Sequence, residues 1–126
     1  MKALLDTNII IHREANKIVS QDIGILYRWL DRGKYTKCIH SATIEEIKKN
    51  PNKETVKLFL VKLDSYETIE IPSPIQDEVK KISESYDRTE NDLIDTSLLN
   101  EVFVGRVDIL ITEDKKIHKK ANALGI

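Results

Sequence analysis

The stretch Ala3-Leu4-Leu5-Asp6-Thr7-Asn8-Ile9-Ile10-Ile11 decides the reading of the chain, because an acid interrupts a run that is otherwise apolar. Ala3, Leu4 and Leu5 are apolar without alternation, the pattern of a strand buried on both faces of a parallel sheet. Such a strand is central. Thr7 and Asn8 have side chains that bond local backbone and open a turn or short helix, which leaves Asp6 at the strand's carboxyl end. In open α/β sheets the crevice beyond that end holds the ligand.

Outward from this stretch, strand-like runs alternate with helical periods. Asp22 to Arg32 carries Ile23, Leu26, Tyr27 and Leu30 at helical spacing, with Ser20 or Asp22 to cap its start and Gly33 after its end. Lys37–His40 reads as a second strand, followed by a helix capped by Ser41 and running to about Lys49, before Pro51. A further helix is expected over Lys53–Ser65 and a third strand over Glu67–Ile71. Pro72-Ser73-Pro74 is a turn. Ile75, Val79, Ile82 and Tyr86 mark the next helix, and Asn91 is expected to cap one that ends before Gly105. Asp108–Thr112 forms the last strand, and Lys115–Leu124 a basic helix closed by Gly125. The order βαβααβααβα implies a parallel, doubly wound sheet with helices on both faces.

The 126 residues fit one domain, and their apolar and charged fractions are those of an ordinary globular chain. A net charge of −1 excludes a uniformly basic nucleic-acid coat, so any basic surface must be a local patch. Cys38 is the only cysteine, which rules out an intrachain disulfide and a cysteine-based zinc site and suits a reducing cytoplasm. No apolar run reaches membrane-spanning length, and Asp6 cuts the first one too early for a signal-peptide core. His12, His40 and His118 have no zinc spacing, and His40, at a strand end, reads as a structural histidine.

The acids carry the chemical signal. Asp6 ends the first strand, Glu46 lies in the helix after the second, and Asp114 follows the last strand in Ile111-Thr112-Glu113-Asp114. Asp92 and Asp95 share one helical face. Carboxylates converging on one crevice must either raise their pKa values or share a cation. With oxygen ligands alone, magnesium or manganese fits, and such ions activate water against a phosphodiester. Each acid also has a plainer reading: Asp6 and Asp114 as helix caps, Asp92 as a first-turn acid favoured by the helix dipole, Glu46 as a solvated side chain.

With these residues in place, the chain resembles the PIN-domain family, whose members include bacterial and archaeal toxins and RNA-processing nucleases. The resemblance rests on Leu4-Leu5-Asp6-Thr7-Asn8, Ser41-Ala42-Thr43-Ile44-Glu45-Glu46-Ile47, a mid-chain helix with aspartates, and Ile111-Thr112-Glu113-Asp114. It implies a three-layer α/β/α sandwich with a parallel sheet of four or five strands over residues 1–126, or a piece of a longer protein, since the family's last short strand would lie past Gly125-Ile126. It implies a magnesium- or manganese-dependent ribonuclease in which Asp6, Glu46, Asp95 and Asp114 are the catalytic and metal-binding acids. Glu46 is chosen because an aliphatic residue, Ile47, follows it. Asp95 is preferred to Asp92 because Thr96-Ser97-Leu98-Leu99 continues in small and aliphatic residues, which leaves Asp92 as an auxiliary ligand. Asn8 and Thr112 are expected to support the site by hydrogen bonds. RNA is the implied substrate, an antitoxin the partner of toxin members, and a homodimer a common assembly.

Phosphate contact needs positive charge beside the acids. Arg13, Lys48 and Lys49 adjoin the first two acids, and Lys115 and Lys116, followed by His118, Lys119 and Lys120, adjoin the last. These are the candidates for RNA contact, against the plainer reading of a solvated basic face. Two other classes remain open: a binding or scaffold module with an idle site, and a magnesium-dependent phosphotransfer enzyme of dehalogenase or receiver type. The dehalogenase pattern wants an aspartate where Asn8 stands.

Overall fold

The computed structural model describes residues 1–14 and 20–126. Its first strand, β1 (Lys2–Leu5), pairs in parallel with β2 (Thr36–His40) on one side and with β4 (Ile109–Ile111) on the other. A short β3 (Glu67–Ile69) pairs in parallel with β2, giving the order β3-β2-β1-β4. Because Ala3, Leu4 and Leu5 are all fully buried, β1 reads without alternation, as a strand covered on both faces must. Each leucine contributes about 1.5–3 kcal/mol relative to exposure.

Successive strand side chains point to opposite faces and feed two cores. Ala3, Leu5 and Ile39 pack with Ile9, Ile10, Ile23, Tyr27, Leu30, Ile47 and Phe59 under α1 (Thr7–Glu14), α2 (Gln21–Arg32), α3 (Ser41–Lys48) and α4 (Lys53–Lys62). Leu4, Cys38 and Ile69 pack with Leu98 and Val107, beneath α6 (Glu90–Phe103). Helices α5 (Asp77–Tyr86) and α7 (Lys115–Leu124) pack against α6 and each other. The result is the three-layer α/β/α sandwich with an all-parallel sheet, with four strands among the described residues. No helix among them is long and apolar enough to cross a membrane.

The structure shifts several element ends. His40, not Ser41, caps α3: its Nδ1 accepts the Ala42 N–H at 3.0 Å. Thr89, not Asn91, caps α6, because its hydroxyl takes the Asp92 N–H while the Asp92 carboxylate takes the Thr89 N–H, a reciprocal capping box. Helix α4 stops at Lys62 and tightens into a 3-10 turn over Leu63–Ser65. Strand β3 ends at Ile69, and Ile71 beyond it is exposed. Ile75 precedes α5, which starts at Asp77. Gly125 closes α7 with a φ of 77°, in the left-handed region that suits glycine.

Candidate active site

The chain reverses direction of winding between β1 and β4, and the crevice at their carboxyl ends gathers the acids. Leu5 sits opposite Ile111, so the Asp6 N–H continues the ladder to the Ile111 carbonyl at 3.0 Å. The Asp6 side chain, 4% exposed, then lies beside Thr112. Thr112 Oγ1 donates to Asp6 Oδ2 at 2.7 Å, and the Thr7 N–H donates to Oδ1 at 2.7 Å. Burial pushes the Asp6 carboxyl above its ordinary range, the bonds from Thr112 and Thr7 pull it back, and the Asp114 charge adds to the rise.

Two neighbours of Asp6 extend this network. Thr7 Oγ1 donates to Glu46 Oε1 at 2.8 Å and lies 2.9 Å from Thr43 Oγ1. A hydroxyl has one proton, and Glu46 is the acceptor that needs it, so Thr43 donates to Thr7. On the other side, the Asp114 N–H donates to Thr112 Oγ1 at 3.0 Å. Glu46, Thr7, Asp6, Thr112 and Asp114 therefore form one hydrogen-bonded path across α3, α1, β1 and the loop after β4. Asp114 also caps α7, accepting the Lys116 N–H at 2.8 Å. Its capping and site positions are compatible because the cap uses one oxygen.

Asp95 faces this path from α6. Its carboxyl is pushed up to about 7, first by burial, then by the charges of Asp6 and Asp114, with Lys120 opposing and Glu46 adding. Asp95 is thus within electrostatic reach of Asp6, Asp114 and Glu46. Asp92, one turn earlier, is committed to the helix start: its Oδ2 accepts the N–H groups of Arg88 at 2.9 Å and Thr89 at 3.2 Å. Those bonds hold its carboxyl below the usual range, and Lys116 Nζ approaches its Oδ1 at 3.7 Å.

The supporting and basic candidates are dispersed. Asn8 is exposed on the first turn of α1. Arg13 turns away from the acids and stands over the Tyr27 ring, 5.1 Å from its centroid. Lys48 is exposed and pairs with Glu45 at 3.7 Å, whereas Lys49 reaches across to Glu90 at the start of α6, at 3.8 Å. Lys115 and Lys116 are exposed beside Asp114. Lys120 is not part of the rim: it is buried and donates to Asp87 Oδ1 at 2.9 Å, Thr96 Oγ1 at 3.0 Å and the Asp92 carbonyl at 3.1 Å.

Sequence reasoning missed Thr7 and Thr43 as holders of Glu46, and the inward turn of Lys120. Position 120 had a signal, since it follows the buried Ile117 by one helical turn.

Among solved structures, a crystal structure of VapBC2 from Rickettsia felis bound to a DNA fragment from their promoter is similar. It superposes with a TM-score of 0.61 over 97% of this chain and 95% of that one, at 17% identity. The fold is PIN-like. No family model matches the sequence, and a search of curated proteins finds no match. In this PIN-like sandwich the acids stand at the switch point of the sheet.

Among the described residues, no three His, Cys, Asp or Glu side chains are drawn together tightly enough to hold an ion by themselves. The candidate donors are all oxygen, and the Asp95 carboxyl is raised first by burial and then by the charges of Asp6 and Asp114. A hard dication suits such a set.

Proposed function

We propose that the chain is a magnesium- or manganese-dependent ribonuclease that hydrolyses RNA phosphodiester bonds. The observation that carries this is the hydrogen-bonded path that gathers Glu46, Asp6 and Asp114 beyond the carboxyl ends of β1 and β4, with Asp95 beside it on α6. Asp6, Glu46, Asp95 and Asp114 would hold the metal, with Asp92 as an outer contributor. When bound, a hard dication would supply charge neutralisation at the phosphate and a water of lowered pKa.

The chain's own residues do the rest. Thr112 and Thr7 fix both oxygens of Asp6, which leaves its outward lone pairs as the open ones. Thr7, backed by Thr43, aims Glu46 at the same crevice. Asp95 would bind the ion as a carboxylate, giving up the proton it carries below about 7. Lys48, Lys49, Lys115 and Lys116 are exposed and would supply the cations for flanking phosphates. We extend the reading to a toxin restrained by an antitoxin protein, the setting suggested by the similar VapBC2 structure and by toxin members of the PIN family.

The site reading is tested by titrating manganese into the wild type and Asp6→Asn, followed by calorimetry. We expect saturable binding by the wild type and a loss of affinity of at least about tenfold in the variant. Equal binding by both contradicts the assignment.

A further inference from the structure

His40 and Glu101 are both fully buried, and Nε2 of the imidazole lies 2.9 Å from Oε2 of the carboxylate. The tautomer follows from the other ring nitrogen. The Ala42 N–H donates to Nδ1 at 3.0 Å, so Nδ1 bears no proton and Nε2 carries the one donated to Glu101. Glu101 is further fixed by Ser73, whose N–H donates to Oε2 at 3.1 Å and whose hydroxyl donates to Oε1 at 2.5 Å. Burial pushes this carboxyl up, but the bonds from Ser73 and His40 more than offset it and hold it below its ordinary range.

This link joins two elements that carry acids. His40 ends β2 and caps α3, the helix that bears Glu46, and Glu101 belongs to α6, the helix that bears Asp95. The two helices are in contact. Thr7 and Thr43 already hold Glu46 from the β1 side. The hydrogen bond from His40 ties the start of α3 to α6, with a direction and length that apolar packing does not impose. A buried polar pair gains little stability over an apolar one of equal volume, so its geometric definition is what distinguishes it.

We propose that His40 and Glu101 form a buried strut that sets the placement of Glu46 relative to Asp95, which makes His40 a positioning residue of the acidic site. The inference rests on the metal-site reading above and deepens it.

Two substitutions split the roles of His40. In His40→Asn the side-chain oxygen keeps the position of Nδ1 and the α3 cap, but cannot reach Glu101. In His40→Gln the amide nitrogen keeps the position of Nε2 and the strut, but gives up the cap. Manganese titration should show binding weakened about tenfold or more in His40→Asn and within about threefold of wild type in His40→Gln. In a Glu46→Gln background, His40→Asn should cause no further loss. An equal loss in both backgrounds, or undiminished binding by His40→Asn, overturns the proposal.

If His40→Asn does not fold, the double variant His40→Asn/Glu101→Gln removes the buried charge left behind while keeping the strut cut, and is judged by the same titration. A wild type that binds no manganese rejects the metal-site reading instead. The strut is then decided on the metal-free protein by NMR contacts between α3 and α6. They should weaken in His40→Asn and persist in His40→Gln, and unchanged contacts in both overturn it.

Discussion

Asp95 shows how a half-buried acid beside other acids strains its own fold. Its ordinary value is 3.8, and in the folded chain it is pushed up to about 7, chiefly by burial and then by Asp6 and Asp114. Between those values the folded state holds more protons than the unfolded state. The contribution of this group to stability is therefore complete below about 3.8 and is lost as pH rises through about 7. Asp95→Asn cannot ionise and escapes that loss. In excess chelator the variant should melt above the wild type at pH 8, and the two should converge at pH 4. Scanning calorimetry at both values checks this; a variant that melts below the wild type at pH 8 contradicts it. Stability gained by removing a candidate site acid would fit the usual trade between stability and activity.

At this scale the acids were legible because each stands at a strand end or on one helical face. Thr7 and Thr43 were not, because each is an ordinary residue in the first turn of its helix. Their meeting depends on α1 and α3 lying side by side, which periodicity does not encode.

Among the elements, α7 departs furthest from its expected character. Lys115-Lys116-Ile117-His118-Lys119-Lys120 looks like a solvated basic face, and Lys115, Lys116 and Lys119 are exposed. Lys120, on the buried Ile117 side, instead enters a pocket formed by α5 and α6, where Asp87, Thr96 and the Asp92 carbonyl satisfy its three protons. Burial pushes the Asp87 carboxyl up, but bonds from Ser83, Thr96 and Lys120 outweigh it and hold the group below its ordinary range. Lys120→Met leaves that carboxylate buried without its cation and should cost about 3–5 kcal/mol in urea denaturation. Adding Asp87→Asn should recover part of the loss. A single-variant cost below about 1 kcal/mol, the range of a surface pair, contradicts a structural ion pair here. Capping was misread for a related reason. Ser41 and Asn91 have the preferred residue types, but His40 and Thr89 have the geometry, and the His40 position is set by Glu101 from a distant part of the chain.

For the whole molecule, alternation of strand and helix sufficed to predict the parallel sheet and the two covered faces, since an unbroken apolar β1 has no other stable setting. The order β3-β2-β1-β4 then puts Asp6 and Asp114 beyond the carboxyl ends of neighbouring strands, with Asp95 beside them on α6. What the chain pattern did not specify was the wiring between these acids, which runs through hydroxyls contributed by separate elements.

The most direct measurement is cleavage of an RNA containing single-stranded and structured regions, by the purified wild type with manganese, by the wild type with excess chelator, and by Asp6→Asn with manganese. The account predicts fragments from the wild type with manganese alone. Cleavage that survives chelator or Asp6→Asn, or an RNA left intact by a wild type that binds manganese, contradicts it.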